Sequence, residues 1–226
     1  MRLALALQYA ANQGHAKVIT ISQGLNGLLD SQAVRNMVDY ARGQGLIICV
    51  SSGNNGSNTY TGDVKYADGV LAVNATDAQD RIASFSNYGN VLGISAPGVS
   101  IMSTVPVAPN LFTGTSNGKN GYSYMSGTSM ASPFMAGIAA LVVSALVDQG
   151  NKDLAKNGNT RRLTPSDVPG RLVEDLLRAS CIDLGQPRND EVFGVGRIDA
   201  GRAVKNAVSP EWLSRLITEV TRNSQR

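Results

Sequence analysis

The sequence predicts an α/β fold, a partial doubly wound parallel sheet with crossover helices. Four short apolar runs, at 18–21, 46–50, 70–73 and 91–94, are continuous rather than alternating and mostly flanked by Gly, Asn or Ser. Continuous runs mark strands covered on both faces. A segment of helical periodicity lies between the first two, and parallel neighbours need such a crossover.

Each element follows from its own pattern. Leu3, Leu7, Ala10 and Ala11 recur at helical spacing and Gly14 stands where a helix stops, so the start reads as a helix. A signal peptide is the other reading of that basic and apolar start, but its uninterrupted apolar stretch is short. In 31–42, Val34, Val38 and Ala41 share one face, Arg35, Asn36, Asp39 and Arg42 lie mostly away from it, and Ser31 suits the N-cap. The stretch 97–127 is rich in Gly, Ser, Thr, Asn and Pro and reads as loop or short irregular strand.

An apolar helix then spans 130–147, interrupted only by Ser132, Pro133 and Ser144. It is barely long enough to cross a bilayer, and its small-residue lead-in favours a buried core helix. The polar stretch 151–164 reads as a surface loop. A helix starting near 165–170 carries Leu172, Leu176 and Leu177, with Pro169 in its first turn. Residues 210–226 form an amphipathic helix with Leu213, Leu216, Ile217 and Val220 on one face. The expected organisation is one domain over 1–206 and a helical extension over 207–226.

Composition narrows the function classes. With 226 residues, 42% hydrophobic and 16% charged, the chain buries a core. Twenty Lys and Arg against 17 Asp and Glu leave a dispersed charge of +3, which argues against a nucleic-acid partner. Cys49 lies in an apolar run far from Cys181, as a free buried thiol does.

The chemistry concentrates at Gly127-Thr128-Ser129-Met130-Ala131. A serine between small residues at a helix start is either a cap or a nucleophile whose oxyanion the helix N–H groups stabilise. Ser22 and Asn54 fall just past strand C-termini, where ligands gather in a wound parallel sheet. Asn54, within residues 51–56, is either a turn residue or an amide donor.

The stretches 18–24, 47–56, 83–98 and 127–137 resemble, in that order, those of subtilisin-like serine peptidases. Gly-Thr-Ser-Met-Ala-Ser-Pro at 127–133 is the most specific, and 193–200 looks like the end of that domain. The resemblance implies Ser129 as nucleophile and Asn54 as oxyanion donor. It implies substrate-binding edges at Ser22, Gln23 and Gly24 and at Ser51, Ser52 and Gly53, pairing with an extended peptide as an added strand, the second with a polar serine wall. It further implies a polypeptide substrate, no organic cofactor, no membrane partner, secretion, and that residues 1–206 are the C-terminal part of a catalytic domain.

The sequence also departs from the family. Neither its aspartate motif nor its His-Gly-Thr-His motif occurs here. The chain is therefore expected to be inactive alone and completed by a missing N-terminal part or a complementing chain, or else to be a pseudopeptidase that binds peptides. His15 precedes the strand whose far end faces Ser129, ~20 Å away. Phe134 stands where the family often has a structural histidine. No histidine follows Ser129, which removes the α/β-hydrolase order, and Ser116 to Lys119 matches Ser-x-x-Lys without the required helix. Asp63, Asp68 and Asp77 fit no EF-hand spacing, so no metal is expected.

Overall fold

The computed structural model describes residues 2–13, 15–23, 31–58, 70–89, 93–105, 121–187 and 190–223. Its main sheet has the order β1 (Val18–Ile21), β2 (Ile47–Ser51), β3 (Leu71–Thr76), β4 (Ile94–Pro97), β8 (Arg197–Ile198) and β7 (Cys181–Ile182). All neighbours are parallel except β7 and β8. A separate antiparallel pair, β5 (Ile101–Thr104) and β6 (Tyr122–Met125), leads into the longest helix, α3 (Thr128–Lys156).

Helices cover both faces, as the unbroken apolar strands require. Alternation along β2 sends Ile48 and Val50 toward α1 (Arg2–Asn12) and α2 (Gln32–Gly43), where they meet Leu7, Val34, Val38 and Ala41. Ile47 and Cys49 face α3 instead, in a larger core with Met135, Val142, Leu172 and Leu176. Helices α4 (Gly170–Ala179), α5 (Ala200–Ala207) and α6 (Pro210–Asn223) close that side. Leu213, Leu216 and Val220 of α6 are buried in it, beside Trp212.

Two polar ties hold the layers together. Lys17 Nζ donates to the carbonyls of Gly45 (2.7 Å) and Val168, joining β1 to the turn before β2 and to the start of α4. Burial lowers its pKa from 10.5 to about 8, against a smaller opposing pull from Asp167. Glu174, buried on α4, pairs with Arg42 of α2 at 2.9 Å and with Arg178 at 3.8 Å.

Several expectations need correction. Helix α3 does not stop at Val147 but runs through Lys156, taking in much of the expected loop. Lys152 pairs with Asp148 at 2.7 Å, and Gln149 donates to Asp153 at 3.0 Å, both one turn apart. Gly150 is a packing residue, because a side chain there would lie 2.8 Å from Leu163 and 3.3 Å from Leu216. The fourth strand begins at Ile94, the last residue of its predicted run; 91 and 92 lie outside the described residues. Ser31 occupies the α2 N-cap without a side-chain capping bond. Pro169 is the N-cap of α4 rather than part of its first turn, and a 3-10 turn, Pro165–Asp167, precedes it.

Candidate active site

Ser129 is the second residue of α3, after the N-cap Gly127. Helix starts leave N–H groups without intrahelical acceptors, and here one of them finds a side-chain partner. The Thr128 N–H donates to Asn54 Oδ1 at 2.9 Å, and Thr128 Oγ1 donates to the same oxygen at 2.9 Å. Thr128 Oγ1 also accepts the Gly53 N–H at 3.2 Å. With Oδ1 engaged twice, the amide of Asn54 turns its NH2 group toward Gly127. A methyl on Gly127 would lie 3.5 Å from Asn54 Nδ2 and 3.6 Å from Ser129 N. Both nitrogens therefore border one small space beside the glycine, along with Met130 Sδ at 3.7 Å.

Ser22, just past β1, holds Ser129 from the other side. Its hydroxyl donates to the Ser129 carbonyl at 3.0 Å, and Ser129 Oγ donates to the Ser22 carbonyl at 3.1 Å. Pro133 explains the first bond. It has no N–H to give the carbonyl four residues earlier, which is that of Ser129, and the Ser22 hydroxyl fills the gap. One turn on, Thr20 Oγ1 and Ser132 Oγ are 3.0 Å apart and extend the seam between β1 and α3.

The remaining expected residues divide. Gln23 is exposed beside Ser22; Gly24 lies outside the described residues. Ser51 and Ser52 are each 1% exposed, so their hydroxyls do not make a polar pocket wall. Ser52 Oγ donates inward to the Asn87 carbonyl at 3.2 Å. The second pairing edge is also corrected. The Ser52 N–H donates to the Val73 carbonyl at 3.1 Å, and the carbonyls of Ser52 and Gly53 accept from Asn87 Nδ2 (3.0 Å) and Asn87 N (2.9 Å). Engaged within the protein, Ser52 and Gly53 form a supporting wall and not a free strand edge.

Thr128 and Asn87 escaped the sequence reading. Asn87 is fully buried and holds the Asn54 loop from beneath, since its Oδ1 also accepts the Asn55 N–H at 2.9 Å. Gly53 has φ +106°, and a side chain there would overlap Asn87 Nδ2. The signal for Asn87 was its place in the stretch 83–98, but nothing local distinguished it from a turn residue.

Other titratable groups stand apart. His15 lies ahead of β1, whose far end holds Ser129 through Ser22. Asp77 Oδ1 accepts the Arg81 and Gln79 N–H groups at 3.0 and 2.9 Å. Those bonds, the Arg81 backbone first, hold its pKa below the usual carboxylate value. Asp63 and Asp68 lie outside the described residues. Burial pushes the thiols of Cys49 and Cys181 up to about 12.

Known proteins resemble this chain in sequence and fold. The subtilase family model matches residues 2–196. The chain is 45% identical over 142 residues to the thermophilic serine proteinase of Bacillus sp. (strain AK1), covering 63% of this chain and 31% of that protein. It is 34% identical over 197 residues to the extracellular basic protease of Dichelobacter nodosus, covering 87% and 29%. It spans about a third of the length of these two relatives. A crystal structure of a lanthipeptide protease superposes with a TM-score of 0.68 at 26% identity, covering 90% of this chain and 65% of that one. The match over most of its length, with the fold to go with it, makes this chain a member of the subtilase family.

Proposed function

We propose that this chain carries the nucleophile and oxyanion site of a serine endopeptidase, with the acid and the histidine supplied by a further polypeptide segment. One observation carries the reading: Asn54 Nδ2 and Ser129 N lie 3.5 and 3.6 Å from one point beside Gly127 at the start of α3.

The mechanism is acyl transfer. The Ser129 hydroxyl leaves the Ser22 carbonyl, gives its proton to the incoming histidine and attacks the peptide carbonyl carbon through Oγ. The C=O oxygen becomes an anion held by the Ser129 N–H and Asn54 Nδ2. Collapse breaks the C–N bond, the histidinium protonates the leaving amine, and water then releases the acyl group by the reverse sequence. Ser22, Gln23 and Gly24 form the edge along which the substrate strand pairs, and Ser51, Ser52 and Gly53 form the wall behind it. No metal or organic cofactor takes part.

Without the base, the chain alone turns over no peptide. The test compares cleavage of a chromogenic peptide by the purified chain, alone and mixed with the part of the Bacillus sp. proteinase that precedes the matched segment. Turnover only in the mixture, lost in Ser129→Ala, is the expected result. Turnover by the chain alone sinks the shared-site reading, and a mixture that associates without turnover makes this a peptide-binding pseudopeptidase.

A further inference from the structure

Strand β2 ends at Ser51, and Asn54 stands beyond it on an exposed stretch of loop. A donor that must meet a developing charge has to be held to a fraction of an ångström, and a loop does not supply that precision by itself. Two quantities fix such an amide, the turn of its side chain and the place of its main chain. Thr128 governs the first, because its N–H and its hydroxyl both donate to Asn54 Oδ1. It also takes the Gly53 N–H on Oγ1. The rest of the loop is held by Asn87.

Four main-chain groups flanking Asn54 end on that one residue. Before Asn54, the carbonyls of Ser52 and Gly53 accept from Asn87 Nδ2 (3.0 Å) and Asn87 N (2.9 Å). After it, the N–H groups of Asn55 and Ser57 donate to Asn87 Oδ1 at 2.9 and 3.3 Å. Asn87 is itself anchored. Its carbonyl accepts from Ser52 Oγ (3.2 Å) and Ser86 Oγ (3.0 Å), and Ser86 Oγ accepts the Ala75 N–H of β3 at 2.9 Å. The exposed loop is thus referred to the main sheet through a fully buried amide. An asparagine that only makes a turn bonds main-chain groups a few residues away. The side-chain bonds of Asn87 reach back 30 to 35 positions, all to one loop. A short amide suits the task because it donates and accepts at once.

We propose that Asn87 is a positioning residue of the oxyanion site, which sets the place of Asn54 Nδ2 by gripping the main chain on both sides of it. The inference rests on the peptidase reading above. Asn87 touches neither substrate nor the reacting atoms and acts through Asn54 alone. The anion that Asn54 meets exists only in the transition state, so a loop that drifts should lower kcat and leave KM nearly as it was.

The test measures chromogenic-peptide turnover by the full chain mixed with the preceding part of the Bacillus sp. proteinase, with kcat taken per site titrated by a fluorophosphonate. Asn87→Ala is expected to lower kcat by roughly 10- to 100-fold, as a displaced group does, with KM within about twofold. In an Asn54→Asp background there is no donor left to place, and the same change should cost kcat nothing further. Leu213→Ala, in the core of α6, destabilises the chain far from the site and should leave kcat per site unchanged. Melting curves confirm the fold of each variant, and Asn87→Ser replaces Asn87→Ala if that has lost its transition. A second readout needs no turnover. In the 15N-labelled chain alone, the side-chain amide signals of Asn54 should be displaced by Asn87→Ala and stay in place in Leu213→Ala. An unchanged kcat per site, a loss of equal size in the Asn54→Asp background, or the same loss in Leu213→Ala overturns the proposal. No turnover even by the unmodified mixture, with the Asn54 signals displaced by Asn87→Ala, removes the peptidase and keeps Asn87 as the residue that places Asn54. Turnover by the mixture with kcat and signals both unmoved does the reverse.

Discussion

Ser22 and Ser129 are joined by two hydrogen bonds of opposite sense, each hydroxyl donating to the other residue's carbonyl at 3.0 and 3.1 Å. One bond answers to Pro133, which leaves the Ser129 carbonyl without a helical donor. Ser22→Ala is therefore expected to destabilise the chain by ~1 kcal/mol, about 2–4 °C in melting temperature. In a Pro133→Ala background the helix recovers its own N–H, and the same change should cost less. A double-mutant cycle with no coupling would refute this account.

The two ends of the Asn54 amide are separable, because Oδ1 accepts the Thr128 N–H at the start of α3 and Nδ2 is the proposed oxyanion donor. Asn54→Asp keeps the acceptor and removes the donor. In the completed enzyme kcat should fall at least ~100-fold, the lower figure known for loss of one such donor in subtilisin. The melting temperature should move little. An equal loss of stability and activity would mean that the residue only caps.

Gly53 and Asn87 occupy adjoining space so tightly that any side chain at 53 strikes the Asn87 amide. Gly53→Ala should cost more than ~2 kcal/mol, from overlap and from φ +106° together. Asn87→Ala relieves the overlap, so the double variant should be clearly less than additive in chemical denaturation. Strict additivity would show that the two sites are independent.

Lys17 gives a pH signature. Its folded pKa of about 8 lies below the ordinary 10.5, so between those values the unfolded chain binds more protons and stability rises with pH. Relative to Lys17→Met, the unmodified chain should gain stability from pH 8 to 10.5 and show a flat difference below pH 8. Urea midpoints across that range measure it, and a difference that shrinks on raising the pH would contradict the burial.

Cys49 and Cys181 are free and buried, with thiols pushed to about 12. A thiol reagent at pH 8 should find neither in the native protein and both after denaturation. Fast native labelling of either would place it at the surface.

The layers of the fold were legible because buried parallel strands and amphipathic helices write their burial directly into spacing. Val18–Ile21 and the inward face of α2 follow from that alone. The end of α3 was not, since Gly150 and Asn151 are usual loop residues; only the nearness of Leu163 and Leu216, set by tertiary packing, makes a glycine fit there. At the site, the chemical character of Ser129 and Asn54 stood out in sequence. Thr128 and Asn87 did not, because their worth lies in hydrogen bonds to residues more than thirty positions away. The supposed polarity of Ser51 and Ser52 failed for the same reason, as side-chain direction is decided by neighbours outside the local pattern.

The position of β4 beside β8 has a consequence for synthesis. Ser95 pairs with Arg197, so one side of β4 waits for about a hundred further residues to be made. At ~5–20 residues per second that is on the order of 5–20 s, during which a buried, apolar strand of the finished protein stands with an open edge on the ribosome. The nascent chain, more than the folded one, is where association with the wrong neighbour is to be expected, and slower translation between 98 and 196 should lower the soluble yield.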